Sequence, residues 1–326
     1  MRRREFITLL GGAAAWPLAA RGQSSSTVIG FLGSQSAEGF NEPMRGFRQG
    51  LRHSGYVEGE NLRIEYRWAE NQTDRLPALA ADLVSRRVAA IASVGGPPVV
   101  WAAKAATSTI PVVFITGDDP IRLGFVTNLA RPEGNLTGVS FFNAELAPKR
   151  LALLRELLPA AARVVVLVNP AIGVISEATL KDLEQPARAM GIQLQVLSAS
   201  TDREINAAFD SFERERPDAL FVGPGSFFLS RRVQLVHLAT RHAIPAVYAE
   251  RDYVEVGGLM SYGASLTEAF RQMGVYAGRI LRGTQPADLP VLRATKFELA
   301  INAETARLLR LTIPPTLLAT ADQVIE

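Results

Sequence analysis

Two hydrophobic rhythms alternate along this chain. Residues 28–33 are a short, nearly continuous apolar run, the mark of a strand covered on both faces. Residues 42–53 then bring Met44, Phe47 and Leu51 to one helical face, and the stretch 54–59, with Gly55 and Gly59, stops that helix. Residues 62–68 alternate strictly and predict a strand. Residues 75–87 carry Leu76, Leu79, Ala80 and Leu83 at core spacing and predict a helix. A strand over 89–93, a helix over 99–107 and a strand over 111–115 complete the run. The succession then restarts: strands over 163–168, 193–197, 219–222 and 245–248 are separated by helices over 176–190, 202–213 and 231–242, the second with Asp202 as its expected cap.

Strands that alternate with helices in this way predict an α/β protein with two doubly wound parallel sheets. The offset of about 130 residues is too long for a solenoid repeat. The tail adds a strand over 257–263, a helix over 266–282 with Phe270, Met273, Tyr276, Ala277 and Ile280 inward, a strand over 297–301 and a helix over 303–311. These pieces have no place in a simple tandem, so the chain is expected to cross back and lend elements to both sheets. The expected division is one lobe of residues 25–139 plus about 262–292, and a second of 140–261 plus about 293–326. Three hinge crossings are expected, near 138–143, 261–264 and 290–295.

The amino end changes the picture of charge. Arg2, Arg3 and Arg4 precede an apolar stretch over 6–16 and the small residues Ala19 and Ala20. That order describes a signal peptide over residues 1–22, and Arg3-Arg4-Glu5-Phe6-Ile7 is similar to a twin-arginine (Tat) signal. Cleavage is expected near Ala20-Arg21-Gly22, delivering the remainder to the periplasm. The whole chain has 35 Lys and Arg against 32 Asp and Glu; residues 1–22 hold four Arg and one Glu, which leaves 31 of each sign. A chain with no excess of positive charge has no electrostatic basis for nucleic-acid binding. No later apolar run is long enough to insert in a bilayer.

There is no cysteine, so disulfides, thiolate metal sites and cysteine nucleophiles are excluded. His237 and His242 stand five apart on a predicted helix, a spacing that does not suit a helical metal pair, and His53 has no evident partner. No dinucleotide or Walker glycine pattern, zinc-protease motif or nucleophile elbow occurs. No catalytic residue, metal or cofactor is expected, and the chain is not expected to be an enzyme.

Three segments carry a resemblance: Thr116-Gly117-Asp118-Asp119-Pro120, the stretch from Asn128 to Ser140 (NLARPEGNLTGVS), and Gly257-Gly258-Leu259-Met260-Ser261-Tyr262-Gly263. With them the chain resembles the substrate-binding proteins of ABC transporters, in the family that includes tryptophan- and other aromatic-amino-acid-binding members. Members usually carry Gly-Asp-Pro where this chain has Gly117-Asp118-Asp119-Pro120. The resemblance implies a type I periplasmic binding protein fold and a monomer that binds a small molecule, an amino acid or related carboxylate, between its lobes. It also implies a permease as partner. A sensory module and an enzyme on two nucleotide-type halves are the rival classes.

Ligands of open parallel sheets bind beyond the carboxyl ends of the strands. In the first lobe those positions are Ser34 and Gln35, Ser93, Gly95 and Gly96, and Thr116, Gly117 and Asp118. In the second they are Asn169, Gly225 and Ser226, and Tyr248 and Glu250. Hydroxyls and glycine amides suit a carboxylate, and Asp118 or Glu250 suits an ammonium. Ser93 and Thr116 are expected to hold the carboxylate and Glu250 to meet the ammonium from the facing lobe. Plain turn chemistry is the competing reading for the glycines, and pairing with Arg241 or Arg251 for Glu250. Phe141, Phe142 and Tyr262 are candidates either to stack on a ligand ring or to pack the hinge.

Overall fold

The computed structural model describes residues 27–326; the expected export signal, residues 1–22, lies outside the described residues. In chain order the first elements are β1 (Thr27–Gly33), α1 (Asn41–His53), β2 (Leu62–Trp68), α2 (Leu76–Ser85), β3 (Ile91–Val94), α3 (Pro97–Ala106), β4 (Val112–Thr116) and β5 (Leu136–Ser140). Then come α4 (Ala147–Leu157), β6 (Arg163–Val168), α5 (Gly173–Ala189), β7 (Gln193–Ser198), α6 (Asp202–Asp210), β8 (Ala219–Val222), α7 (Ser226–Ser230), α8 (Arg232–Arg241), β9 (Ala246–Tyr248) and α9 (Asp252–Glu255). The tail holds β10 (Met260–Ala264), α10 (Leu266–Leu281), β11 (Leu292–Arg293), β12 (Phe297–Asn302), α11 (Ala303–Leu308), α12 (Pro315–Thr320) and β13 (Gln323–Ile325).

The strands form two sheets. The first runs β11-β5-β4-β3-β1-β2, parallel throughout. The second runs β13-β12-β10-β9-β8-β6-β7, parallel except where β12 meets β10. Inner strands such as β4 (VVFIT) are buried along their whole length, because helices cover both faces of such sheets. On the first sheet α1 and α10 cover one face around Phe31 and Phe47, while α2 and α3 cover the other around Phe114 and Leu83. On the second sheet α4, α5, α11 and α12 lie on one face and α6, α7, α8 and α9 on the other. Among the described residues no helix is long and apolar enough to cross a membrane.

Several expectations shift. Thr201, not Asp202, caps α6: its side chain accepts from the Glu204 amide, and the Glu204 side chain bonds back to the cap amide. That reciprocal box leaves Asp202 as the first helical residue. The stretch 231–242 is α8 alone, with the separate short α7 before it. β5, α4, α9, β11, α12 and β13 are elements the periodicity reading passed over.

The chain leaves the first sheet after β5. Tyr262, Gly263 and Ala264 still pair with β12 in the second sheet, so the return comes after Ala264. Arg293 still pairs with Ser140 in the first sheet, so the last handover follows it. α10 then seats on α1 through glycines. A Cβ on Gly50 would lie 2.0 Å from the Arg271 carbonyl oxygen, and one on Gly274 2.2 Å from that of Phe47. This close approach ties the returning segment to the first lobe.

Candidate ligand-binding cleft

Each sheet has a point where the strand order reverses. In the first it lies between β1 and β3, in the second between β6 and β8, and loops there diverge to leave a crevice. The two crevices face one another. Between them is an open pocket of about 710 Å³ lined from both lobes.

The first lobe gives Gln35 beyond β1, Gly95, Gly96 and Pro97 beyond β3, and Thr116, Gly117 and Asp118 beyond β4. Phe40, Phe141 and Phe270 add three rings from the same lobe. The second lobe gives Ile172 and Ile175 after β6, Pro224, Gly225, Ser226 and Leu229 after β8, and Glu250 after β9. The lining therefore combines aromatic and aliphatic side chains with polar and acidic groups.

Local geometry explains the residue types. The Ser34 hydroxyl donates to the Gly95 carbonyl at 2.8 Å and joins the ends of β1 and β3. Gly95 and Gly96 adopt φ of 102° and 98°, where a side chain is strained, and a Cβ on Gly95 would lie 2.0 Å from the Ser34 hydroxyl. Gly225 has φ 145°. Pro97 and Pro98 open α3, so that helix start presents fewer amides to an anion than its glycines suggest. The lobes touch across the cleft: the Gln35 side-chain amide donates to the Ser226 carbonyl at 2.9 Å.

Asp118 and Asp119 divide their tasks. Asp119 accepts from the Ile121 amide at 2.9 Å and caps the following turn. Asp118 faces the pocket, and its amide donates to the Thr116 hydroxyl at 3.3 Å. Burial pushes the Asp118 carboxyl up to about 7, with Asp119 adding to the rise and Arg150 opposing it. Burial likewise pushes Glu250 up to about 7, again against the pull of Arg150 and with the help of Asp252. Glu250 is partly buried, and the cation acting on it is Arg150. Arg251 instead pairs with Glu255 at 2.9 Å.

Nine of the thirteen expected site residues line the pocket: Gln35, Gly95, Gly96, Thr116, Gly117, Asp118, Gly225, Ser226 and Glu250. Ser34, Ser93, Asn169 and Tyr248 are not among the lining residues. Ser93 is fully buried within β3. Asn169 accepts from the Ala171 amide and caps a 3-10 turn. Tyr248 is stacked on Tyr253, ring centroids 4.3 Å apart, beneath the loop that carries Glu250. Of the aromatic candidates Phe141 lines the pocket, Phe142 lies under the Arg293 guanidinium at 3.9 Å, and Tyr262 stacks on Phe297. His242 packs beside Phe209.

Sequence reasoning missed Arg150 and the apolar side chains Phe40, Leu229, Leu266 and Phe270. The signal for Arg150 was the helical spacing of Ala147, Leu151, Leu154 and Leu157, which marks α4 and puts residue 150 beside its buried face.

A family model described as "ABC transporter substrate binding protein" matches residues 29–325. A tyrosine-binding protein of Clostridioides difficile (strain R20291) is 28% identical over 265 residues, which cover 81% of this chain and 75% of that one. The structure of an ABC domain from Streptococcus pneumonia in complex with L-Trp is 25% identical, with a TM-score of 0.81 over 91% of this chain and 100% of that chain. A ligand-free, open structure of a substrate binding protein with adhesive properties from Clostridium difficile is also 25% identical, with a TM-score of 0.69 over 92% of this chain and 99% of that chain. At equal identity the arrangement here is nearer to the ligand complex than to the open form, in keeping with the contact between Gln35 and Ser226. Solved structures of lower identity share the type I periplasmic binding protein fold.

Proposed function

This chain belongs to the ABC transporter substrate binding protein family, and from that premise we propose that it captures an amino acid with an apolar, ring-sized side chain for uptake by a permease. The observation that carries the reading is the polarity of the cleft. Phe40, Phe141 and Phe270 bring rings to its lining, and Asp118, Glu250, Thr116, Ser226 and the glycine backbone bring polar groups. A zwitterion with a ring fits that combination: the ammonium meets the acids, the carboxylate meets hydroxyls and amides, and the ring lies among rings. Relatives named for tyrosine binding and solved with L-Trp support the class. Residues 1–22 act in this reading as the twin-arginine export signal, and the protein works as a monomer in the periplasm.

Because the acids come from strand ends of different lobes, both meet the ligand ammonium only when the lobes close, and ligand binding favours closure. Calorimetry and thermal shift on residues 23–326 against the amino acids test the reading. An aromatic amino acid at about 100 times its dissociation constant stabilises by roughly 2.7 kcal/mol. Shifts with a sugar or an uncharged base, and none with any amino acid, would sink it.

A further inference from the structure

A tryptophan stands behind one ring of the cleft without lining it. Trp68 ends β2, opposite Gly33 at the end of β1. Its ring centroid lies 5.1 Å from that of Phe31 and 5.3 Å from that of Phe40. Phe40 lines the pocket and is carried by a short 3-10 turn, Ala37–Phe40, between β1 and α1. It also meets Phe270, a second lining ring, 5.7 Å away. Gly33 needs no left-handed backbone; it is a glycine for room. A Cβ there would lie 2.4 Å from two carbons of the Trp68 ring, and the three atoms nearest to it all belong to that ring. The indole therefore rests directly on the Gly33 backbone.

The segment that carries the indole is tied down at the same place. The Ala69 amide donates to the Gly33 carbonyl at 2.9 Å, and the Asn71 amide to the Ser34 carbonyl at 2.7 Å. The turn that makes these bonds holds Glu70 and Asn71 at φ of 53° and 61°, left-handed backbone that persists only where the surroundings enforce it. The end of β2 thus has no freedom to back away from Gly33. Phe31 stands within β1, so Phe40, on its turn, is the neighbour that yields.

We propose that Trp68 is a positioning residue that sets how far Phe40 reaches into the cleft, and with it the size of ring the cleft admits. The proposal rests on the reading of the cleft as a site for a ring-bearing amino acid. Close-packed interiors pass on a change of volume to the next side chain. A smaller residue at 68 lets Phe40 retreat and widens the cleft. A methyl on Gly33 drives the indole onto Phe40 and narrows it.

Two measurements test this. Titration calorimetry compares L-tryptophan with L-phenylalanine. Trp68→Leu raises the affinity for L-tryptophan relative to L-phenylalanine by roughly tenfold, and Gly33→Ala lowers the same ratio by a similar factor. In Gly33→Ala/Trp68→Leu the methyl takes room the indole has left, and the ratio returns to within about threefold of the wild type. A merely structural tryptophan would weaken both ligands alike and leave the ratio unmoved in every variant, which overturns the proposal. Should Gly33→Ala alone not fold, Trp68→Phe joins Trp68→Leu, and the ratio must rise with the volume removed. Fluorine NMR on ligand-free protein with 4-fluorophenylalanine at position 40 reads that ring directly. Gly33→Ala moves the fluorine line when Trp68 is present and leaves it in place in the Trp68→Leu background. Equal shifts in both backgrounds, or none in either, sink the proposal whatever the ligand. A wild type that binds no amino acid sinks the reading of the cleft, and the fluorine arm still decides the role of Trp68.

Discussion

Replacing Glu250 by glutamine tests the cleft from two directions, because the carboxylate that serves the ligand destabilises the empty fold. Burial holds this carboxyl near 7 in the folded protein, whereas in the unfolded chain it ionises near 4.3. Between those values the unfolded chain has released a proton that the folded protein keeps. Folded-state stability therefore declines as pH rises from about 4 through 7, and the whole loss is present above 7. At about 1.36 kcal/mol per pH unit the loss is about 3.7 kcal/mol at most. Solvent reaches the partly buried carboxyl and screens it, so roughly 2 kcal/mol is expected. Glutamine removes that term. Glu250→Gln should melt roughly 3 °C above the wild type near pH 8 and close to it below about pH 4.5. The same change deletes a charge-assisted bond to the ligand ammonium, about 1.5–3 kcal/mol, or roughly tenfold to 150-fold in affinity. Scanning calorimetry at the two pH values and titration calorimetry with an aromatic amino acid read both effects. A variant that melts lower near pH 8 while binding as tightly as the wild type would refute the reasoning, since Glu250 would then be a structural partner and not a ligand group.

Further outcomes follow from the same geometry. Gly50→Ala gains up to about 1 kcal/mol of helix propensity but drives a methyl into the Arg271 carbonyl; urea unfolding should show a net loss of about 1–2 kcal/mol, and a gain would mean that α10 is not seated on α1. Gln35→Ala removes the bond to the Ser226 carbonyl and should weaken binding by about 1 kcal/mol, roughly fivefold, with a larger radius for the ligand-bound protein in small-angle scattering; unchanged affinity and radius would show that this contact does not hold the closed form. Phe40, whose ring lies 5.3 Å from Trp68 and 5.7 Å from Phe270, should on truncation to alanine cost an aromatic ligand about 1 kcal/mol or more and an aliphatic one less; equal losses for both in titration calorimetry would show that this ring does not meet the ligand ring.

The strands and their partners could be read from spacing because each repeats a local rule. β2 (Leu62–Trp68) alternates, β4 is continuously apolar, and both begin and end within a residue of where spacing places them. The site was legible to the same depth: the rule that ligands lie beyond strand ends found the loops of Gln35, Gly95, Thr116, Ser226 and Glu250. It did not tell which side chain of a loop turns inward. Ser93 stands two residues before Gly95 in sequence, yet it is sealed within β3 and Gly95 lines the pocket.

Arg150 shows why the rest was hidden. In the string APKRLALLREL it stands between Lys149 and Leu151 and has the appearance of a solvated charge. Its burial arises only when α4 packs on the second sheet and the Phe221 ring, about 70 residues onward, covers the guanidinium. The angle between the lobes has the same origin. Arg293 stacks on Phe142 at 3.9 Å and pairs with Glu145 at 2.5 Å, joining the first hinge crossing to the third. Phe142 itself has φ 49°, a left-handed conformation that a bulky residue adopts only when its surroundings enforce it. No local pattern encodes that enforcement, because it comes from a segment roughly 150 residues away. Whether Gln35 reaches Ser226 depends on this hinge packing, so the contact that closes the cleft is the part of the site least visible in the order of the residues.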